Sequence, residues 1–78
     1  MVAVVLSTEK KLVEGQVDSV LVPGEQGRFE ILSNHAPIIS TLVSGEIVCK
    51  GASDFRMQIV GGFVEVSSNV VSLCVELK

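Results

Sequence analysis

Along most of this chain hydrophobic and polar residues alternate with a period of two, the mark of strands that bury one face. Over 69–78, Val71, Leu73, Val75 and Leu77 share one phase, while Ser72, Cys74 and Glu76 take the other. Residues 54–60 repeat the pattern, setting Phe55, Met57 and Ile59 against Arg56 and Gln58. So do residues 27–32, with Phe29 and Ile31 opposed to Arg28 and Glu30. Segments 2–7 and 16–22 are apolar on both phases, as expected of strands that are covered on both sides or carry a bulge. No segment shows a helical stripe, so the pattern predicts an all-β chain.

Turn chemistry separates these runs. Pro23-Gly24, Ser44-Gly45, Gly51-Ala52-Ser53, Gly61-Gly62 and Ser67-Ser68-Asn69 supply breaks between stretches of about four to eight residues, the spacing of a sandwich or barrel. Pro23 is expected to end its strand, because it lacks the N–H that a ladder requires. With no linker, low-complexity tract or trusted repeat, residues 1–78 read as one domain.

Composition sharpens the fold. A chain of 78 residues removes only about 60 to 65% of its unfolded surface from water, so each apolar residue counts. The chain is 47% hydrophobic but only 4% aromatic, so Val, Ile and Leu must fill the core. Such side chains favour strands, since β-branching restricts χ1 in a helix and packs well on a pleated surface. A net charge of -3, with only Lys10-Lys11 adjacent among the cations, argues against a nucleic-acid partner. The opening MVAVVLSTEKK places its charges after a short apolar run, unlike a secretory signal, and no apolar run approaches the roughly 18 residues of a membrane span. These features predict a soluble intracellular chain with no direct membrane insertion.

Candidate chemistry is sparse. Cys49, Cys74 and the single histidine, His35, cannot assemble a four-ligand zinc site, and no metal or cofactor is expected. Cys49 falls in phase with Ile47 and reads as buried; Cys74 falls with Ser72 and Glu76 and reads as partly exposed. His35 would need a nucleophile to activate or a partner to orient it, but both cysteines lie on distant runs, and Ser33 and Ser40 occupy no nucleophile elbow. Ala36 precedes Pro37 and is pushed towards extended backbone, so Asn34-His35-Ala36-Pro37 reads as a corner between strands. There the imidazole can bond backbone groups that the turn leaves unpaired. A structural or interface role is favoured over catalysis, and no catalytic residue is assigned.

The ordered set STE (7–9), GQVDSVLVPG (15–24), GRFEI (27–31), NHAPI (34–38), SG (44–45) and GGFVEV (61–66) resembles the N-terminal domain of the epsilon subunit of F-type ATP synthases. The resemblance runs across essentially the whole chain. It implies a small flattened two-sheet β-sandwich, part of the rotor, attached to the gamma subunit at the foot of the central stalk and resting on the ring of c subunits. It further implies a non-catalytic role in coupling proton flow to ATP synthesis, within a complex that also holds alpha and beta subunits. Without a presequence, the bacterial form is expected, peripheral on the cytoplasmic face of the inner membrane. Arg28, Glu30, His35, Ala36, Pro37, Ile39 and Leu42 become the candidate contacts to gamma or the c-ring. Leu32, Ile39, Val43, Phe63 and Val70, left over from the core assignment, are candidates for the same surface, with some of them expected in the core.

The chain departs from the family pattern in places. Relatives commonly carry a second glycine where Glu30 stands, Pro-Gly where Ser33-Asn34 stands, and an acidic or polar residue facing the c-ring loops where Arg28 stands. Asn34 tolerates positive φ better than most residues, so the corner should survive. Typical bacterial members continue into a helical hairpin that in some relatives binds ATP or blocks hydrolysis; the expectation from these 78 residues is a coupling module that does neither. A lipoyl- or biotinyl-carrier module of similar size is disfavoured, since Lys50 is followed by Gly51-Ala52 and the flanked carrier lysine is missing.

Overall fold

The computed structural model describes residues 1–7, 10–52 and 54–77. Thr8 and Glu9 of the STE motif, Ser53 of a predicted turn and Lys78 at a predicted strand end lie outside the described residues. Eight strands follow in order: β1 (Val2–Leu6), β2 (Lys11–Gln16), β3 (Ser19–Gly24), β4 (Gly27–Leu32), β5 (Ile38–Leu42), β6 (Gly45–Lys50), β7 (Phe55–Ser67) and β8 (Val70–Leu77). The described residues contain no helix, as the alternation predicts.

The hydrogen-bonded order is β2-β1-β8-β7-β5-β3-β4, with β6 pairing both β3 and β7. The 13-residue β7 makes this two layers. Its first half, through Ile59, pairs with β6, while its second half pairs with β5 on one side and β8 on the other. One layer is therefore β2, β1, β8, the end of β7 and β5; the other is β4, β3, β6 and the start of β7. They fold together into a body 28 × 25 × 18 Å across its Cα atoms, flattened as two sheets about 10 Å apart should be. Every pairing is antiparallel except β1 with β8, which run parallel in register from Val2↔Val70 to Leu6↔Cys74.

Between the layers lies one aliphatic core. Ala3 and Val5 of β1, Val20 and Val22 of β3, Ile31, Leu42, Ile47, Ile59, Val64, Val66, Val71 and Leu73 are all buried, and Phe29, Phe55 and Met57 pack against them. Burying each Val, Leu or Ile contributes roughly 1.5 to 3 kcal/mol, so β-branched residues hold this small domain together. No buried side-chain N or O atom among the described residues lacks a partner.

Several turn assignments need correction. Gly61-Gly62 is not a chain reversal but the interior of β7, just after a register shift between Ile59 and Gly61. Gly62 takes a φ of 148°, and a Cβ there would strike the carbonyl oxygen of Cys74. The glycine permits close approach of β7 to β8 where β7 changes layers. Pro23 does not end its strand either: it is a buried residue of β3 facing Arg28, and the turn is Glu25-Gln26. β6 has parted from β3 beyond Leu21, so no ladder bond is asked of the missing N–H, and the Pro23 carbonyl accepts the Val43 N–H at 2.9 Å. The run 16–22 straddles the end of β2 and the start of β3, joined by Val17-Asp18. β2, with Lys11, Glu14 and Gly15 breaking its alternation, is a strand that the pattern misses. Leu77, expected inside, is 45% exposed at the end of β8.

The corner behaves as read. Asn34 adopts φ 66°, its N–H donates to Asn69 Oδ1 at 2.9 Å, and the Leu32 carbonyl accepts the His35 N–H at 3.2 Å. Asn69 belongs to the β7–β8 turn, where Ser68 and Asn69 both take positive φ. A tight hairpin favours that conformation, and the Asn69 side chain ties it to the corner.

Candidate functional site

The outward face of the first layer carries a group of apolar side chains set among polar ones. On β1, Ala3 and Val5 enter the core, while Val2, Val4 and Leu6 point the other way and remain half-buried. Strand register continues this surface across the layer. One row runs Leu6, Cys74, Phe63, Thr41; the next runs Val4, Ser72, Glu65, Ile39; a third holds Val2, Val70 and Ser67. Ile39 is 74% exposed, the most exposed large apolar side chain among the described residues, and Phe63 is 48% exposed. Two-phase apolarity in 2–7 thus reflects a strand with core on one side and an uncovered apolar sheet on the other. Beside Phe63 and Cys74 the surface dips into a cavity of about 310 Å³, floored also by Gly62 and Val75.

The outer face of the second layer is charged. Glu30, Leu21, Val48 and Arg56 form one row across β4, β3, β6 and β7. Arg28, Glu46 and Lys50 flank the same hollow of about 190 Å³. Arg56 Nη1 lies 3.2 Å from Glu46 Oε1. Cations and carboxylates alternate here, so this face is suited to water or to a polar partner.

The predicted contact residues divide between these surfaces. Arg28 and Glu30 are exposed on the charged face, His35, Ala36 and Pro37 are exposed at the corner, and Ile39 lies on the apolar face. A cleft of about 520 Å³ between the β3–β4 turn and β5 brings Arg28 and Ile39 together. Leu42 is corrected: at 3% exposure it is a core residue, on the same phase of β5 as Ile38 and Ser40, and reaches no surface. Leu32, Ile39, Val43, Phe63 and Val70 are all exposed, so none of them joins the core, against the expectation that some would. That Val2, Val4, Leu6 and Glu65 share one face is not readable from the sequence, because it depends on register between strands distant in sequence.

Reactive groups are isolated from one another. His35 is exposed, with Nδ1 2.8 Å from the Ala36 carbonyl, to which the protonated nitrogen donates. That is a bond to the turn's own backbone, though not the buried position that a large stabilising role would need. Ser40 Oγ donates to the Thr41 carbonyl at 3.3 Å. Cys49 is buried in β6, and burial pushes its thiol up to about 11, while Cys74 is half-buried on the apolar face. Among the described residues no group of three or more His, Cys, Asp or Glu could hold a metal ion.

An all-strand two-layer sandwich is the architecture that the sequence motifs imply. The chain belongs to the family described as ATP synthase, Delta/Epsilon chain, beta-sandwich domain, whose model matches residues 1–77. Among similar curated proteins, an ATP synthase epsilon chain from Leptospira borgpetersenii is 47% identical over 70 residues, covering 88% of this chain and 55% of that protein. One from Chlorobaculum tepidum is 36% identical over 74 residues, covering 92% and 84%. The chain spans about half the length of the Leptospira relatives, 55% in each case. The fold is shared with a chain in the central stalk/c-ring structure of the Tetrahymena thermophila mitochondrial ATP synthase, with a TM-score of 0.83 at 13% identity over 96% of this chain and 62% of that one. A chain of the Euglena gracilis mitochondrial ATP synthase gives 0.85 at 17% identity over 94% and 48%.

Proposed function

We propose that this chain is a non-catalytic rotor module of an F-type ATP synthase, fixed to the gamma subunit through the apolar outer face of its first layer. Its β3–β4 end, with Arg28 and Glu30, faces the ring of c subunits and supports coupling of proton flow to ATP synthesis. The observation that carries this reading is the uncovered sheet of Val2, Val4, Leu6, Ile39, Phe63 and Val70. So much apolar side-chain surface on one face of a domain this small marks a partner interface.

A torque-bearing element must resist shear, and a close-packed aliphatic core between two sheets is stiff. An obligate interface of roughly 2,000 Å² or more, with an apolar centre and polar rim, suits the arrangement of Phe63 and Ile39 amid Thr41, Ser67 and Ser72. Among the described residues no helix is long and apolar enough to cross a membrane. The reading therefore holds the chain to the membrane by its partners, at the cytoplasmic face in a bacterium. Capture of the tagged chain from solubilised native membranes tests it: gamma should be recovered together with alpha and beta. Recovery of the chain without gamma would remove the proposal.

A further inference from the structure

Docking by apolar burial does not account for Glu65, which shares this face with Ile39 and Phe63. Register sets it between Ile39 of β5 and Ser72 of β8, and it is exposed. Among the described residues its carboxylate joins no ion pair; Lys11 is taken by Glu14 at 2.6 Å, and Arg56 meets Glu46 on the other layer. Covering this face with purely apolar surface would strip water from Glu65 and leave a charge without compensation, a penalty that opposes docking. A partner that covers this carboxylate has to offer it hydrogen-bond donors, and a cationic side chain offers donors and compensates the charge as well.

The surface beside Glu65 indicates what form that cation takes. A hollow of about 360 Å³ is lined by Pro37, Ile38, Ile39, Glu65, Val66 and Ser67; Ile38 and Val66 turn their side chains to the core, so the exposed apolar side chains of Pro37 and Ile39 adjoin one carboxylate and the Ser67 hydroxyl. A long aliphatic stem carrying a cationic head matches those apolar side chains and that carboxylate. We infer that Glu65 pairs with an arginine or lysine of the gamma subunit, whose stem lies over Pro37 and Ile39, and that this pair fixes the register of docking. The inference rests on the docking reading above and adds a partner chemistry to it. Glu65 then acts as a specificity determinant: apolar contacts supply affinity, while the pair excludes a partner that is slid or turned on the sheet.

The test titrates the full chain onto purified head complexes of alpha, beta and gamma, at low and at high salt. Glu65→Gln keeps the shape and removes the charge; it should weaken binding about tenfold at low salt and flatten the salt dependence, and Glu65→Lys should cost about a hundredfold or more. Phe63→Asp, on the same face, reports on docking alone. If Phe63→Asp abolishes binding while Glu65→Gln binds like the original chain with the same salt dependence, the charge pair is refuted and docking stands. If Phe63→Asp binds unchanged, the docking reading fails and the pair falls with it.

Discussion

At Gly62 a single methyl group has nowhere to go. Its φ of 148° is one that residues with side chains rarely adopt, and the Cys74 carbonyl and Val75 Cα occupy the space where a Cβ would stand. Gly62→Ala is therefore expected to lower stability by about 3 kcal/mol or more in urea unfolding, and a change under about 1 kcal/mol would refute this account of β7. Cys49 gives a second residue-scale prediction. Its folded thiol is pushed up to about 11 from an ordinary 9.0 by burial. Well below pH 9 the thiol is neutral in both states. As pH rises towards 11 the unfolded chain loses its proton while the folded chain keeps it, so stability falls, by on the order of 2 kcal/mol. Denaturant melts at pH 8 and near pH 10.5 should show the loss, and Cys49→Ala should flatten it. At His35 the expectation is the opposite. Because the ring is exposed, His35→Ala should change the stability of the isolated chain by less than about 0.5 kcal/mol, and any larger effect belongs to the assembled complex.

At the scale of elements, strands that obey one rule are read correctly and strands that obey two are not. β4 and β8 each pair a core face with a polar face, and their alternation shows both. β1 is apolar on both phases, which the sequence leaves open between double coverage and a bulge. The structure has a register shift between Val5 and Leu6 and an uncovered second face. β7 is hidden by its own glycines, since Gly61-Gly62 is a turn signal locally and only the approach of β8 shows why the chain runs straight on. The corner at Asn34 to Pro37 was legible because proline and asparagine act on local backbone. The apolar face was not, because rows such as Leu6, Cys74, Phe63 join strands that no local pattern brings together. Ile59 sits at the hinge of this design, fully buried and paired with Gly45 on one side and Leu77 on the other. Ile59→Ala should cost about 2 to 5 kcal/mol by thermal or urea unfolding, a large part of what a domain this size has.

For the whole molecule, what matters is that its two outer faces differ in kind. The second layer exposes Arg28, Glu30, Lys50 and Arg56, and rim charges such as these mainly affect encounter and salt dependence. Arg28→Glu should leave the fold intact and alter proton-coupled ATP synthesis in reconstituted membranes; unchanged proton pumping would count against a c-ring role for that end. The first layer should be covered permanently in the assembled enzyme, and the chain carries its own reporter there. Cys74 is half-exposed between Leu6 and Phe63, whereas Cys49 is buried in the core and controls for unfolding. The decisive measurement is the rate at which a maleimide labels Cys74 in the isolated chain and in the membrane-bound complex, read by mass spectrometry. We predict ready labelling of the free chain and protection of about tenfold or more on assembly, with Cys49 unlabelled in both; equal Cys74 rates would contradict docking through this face.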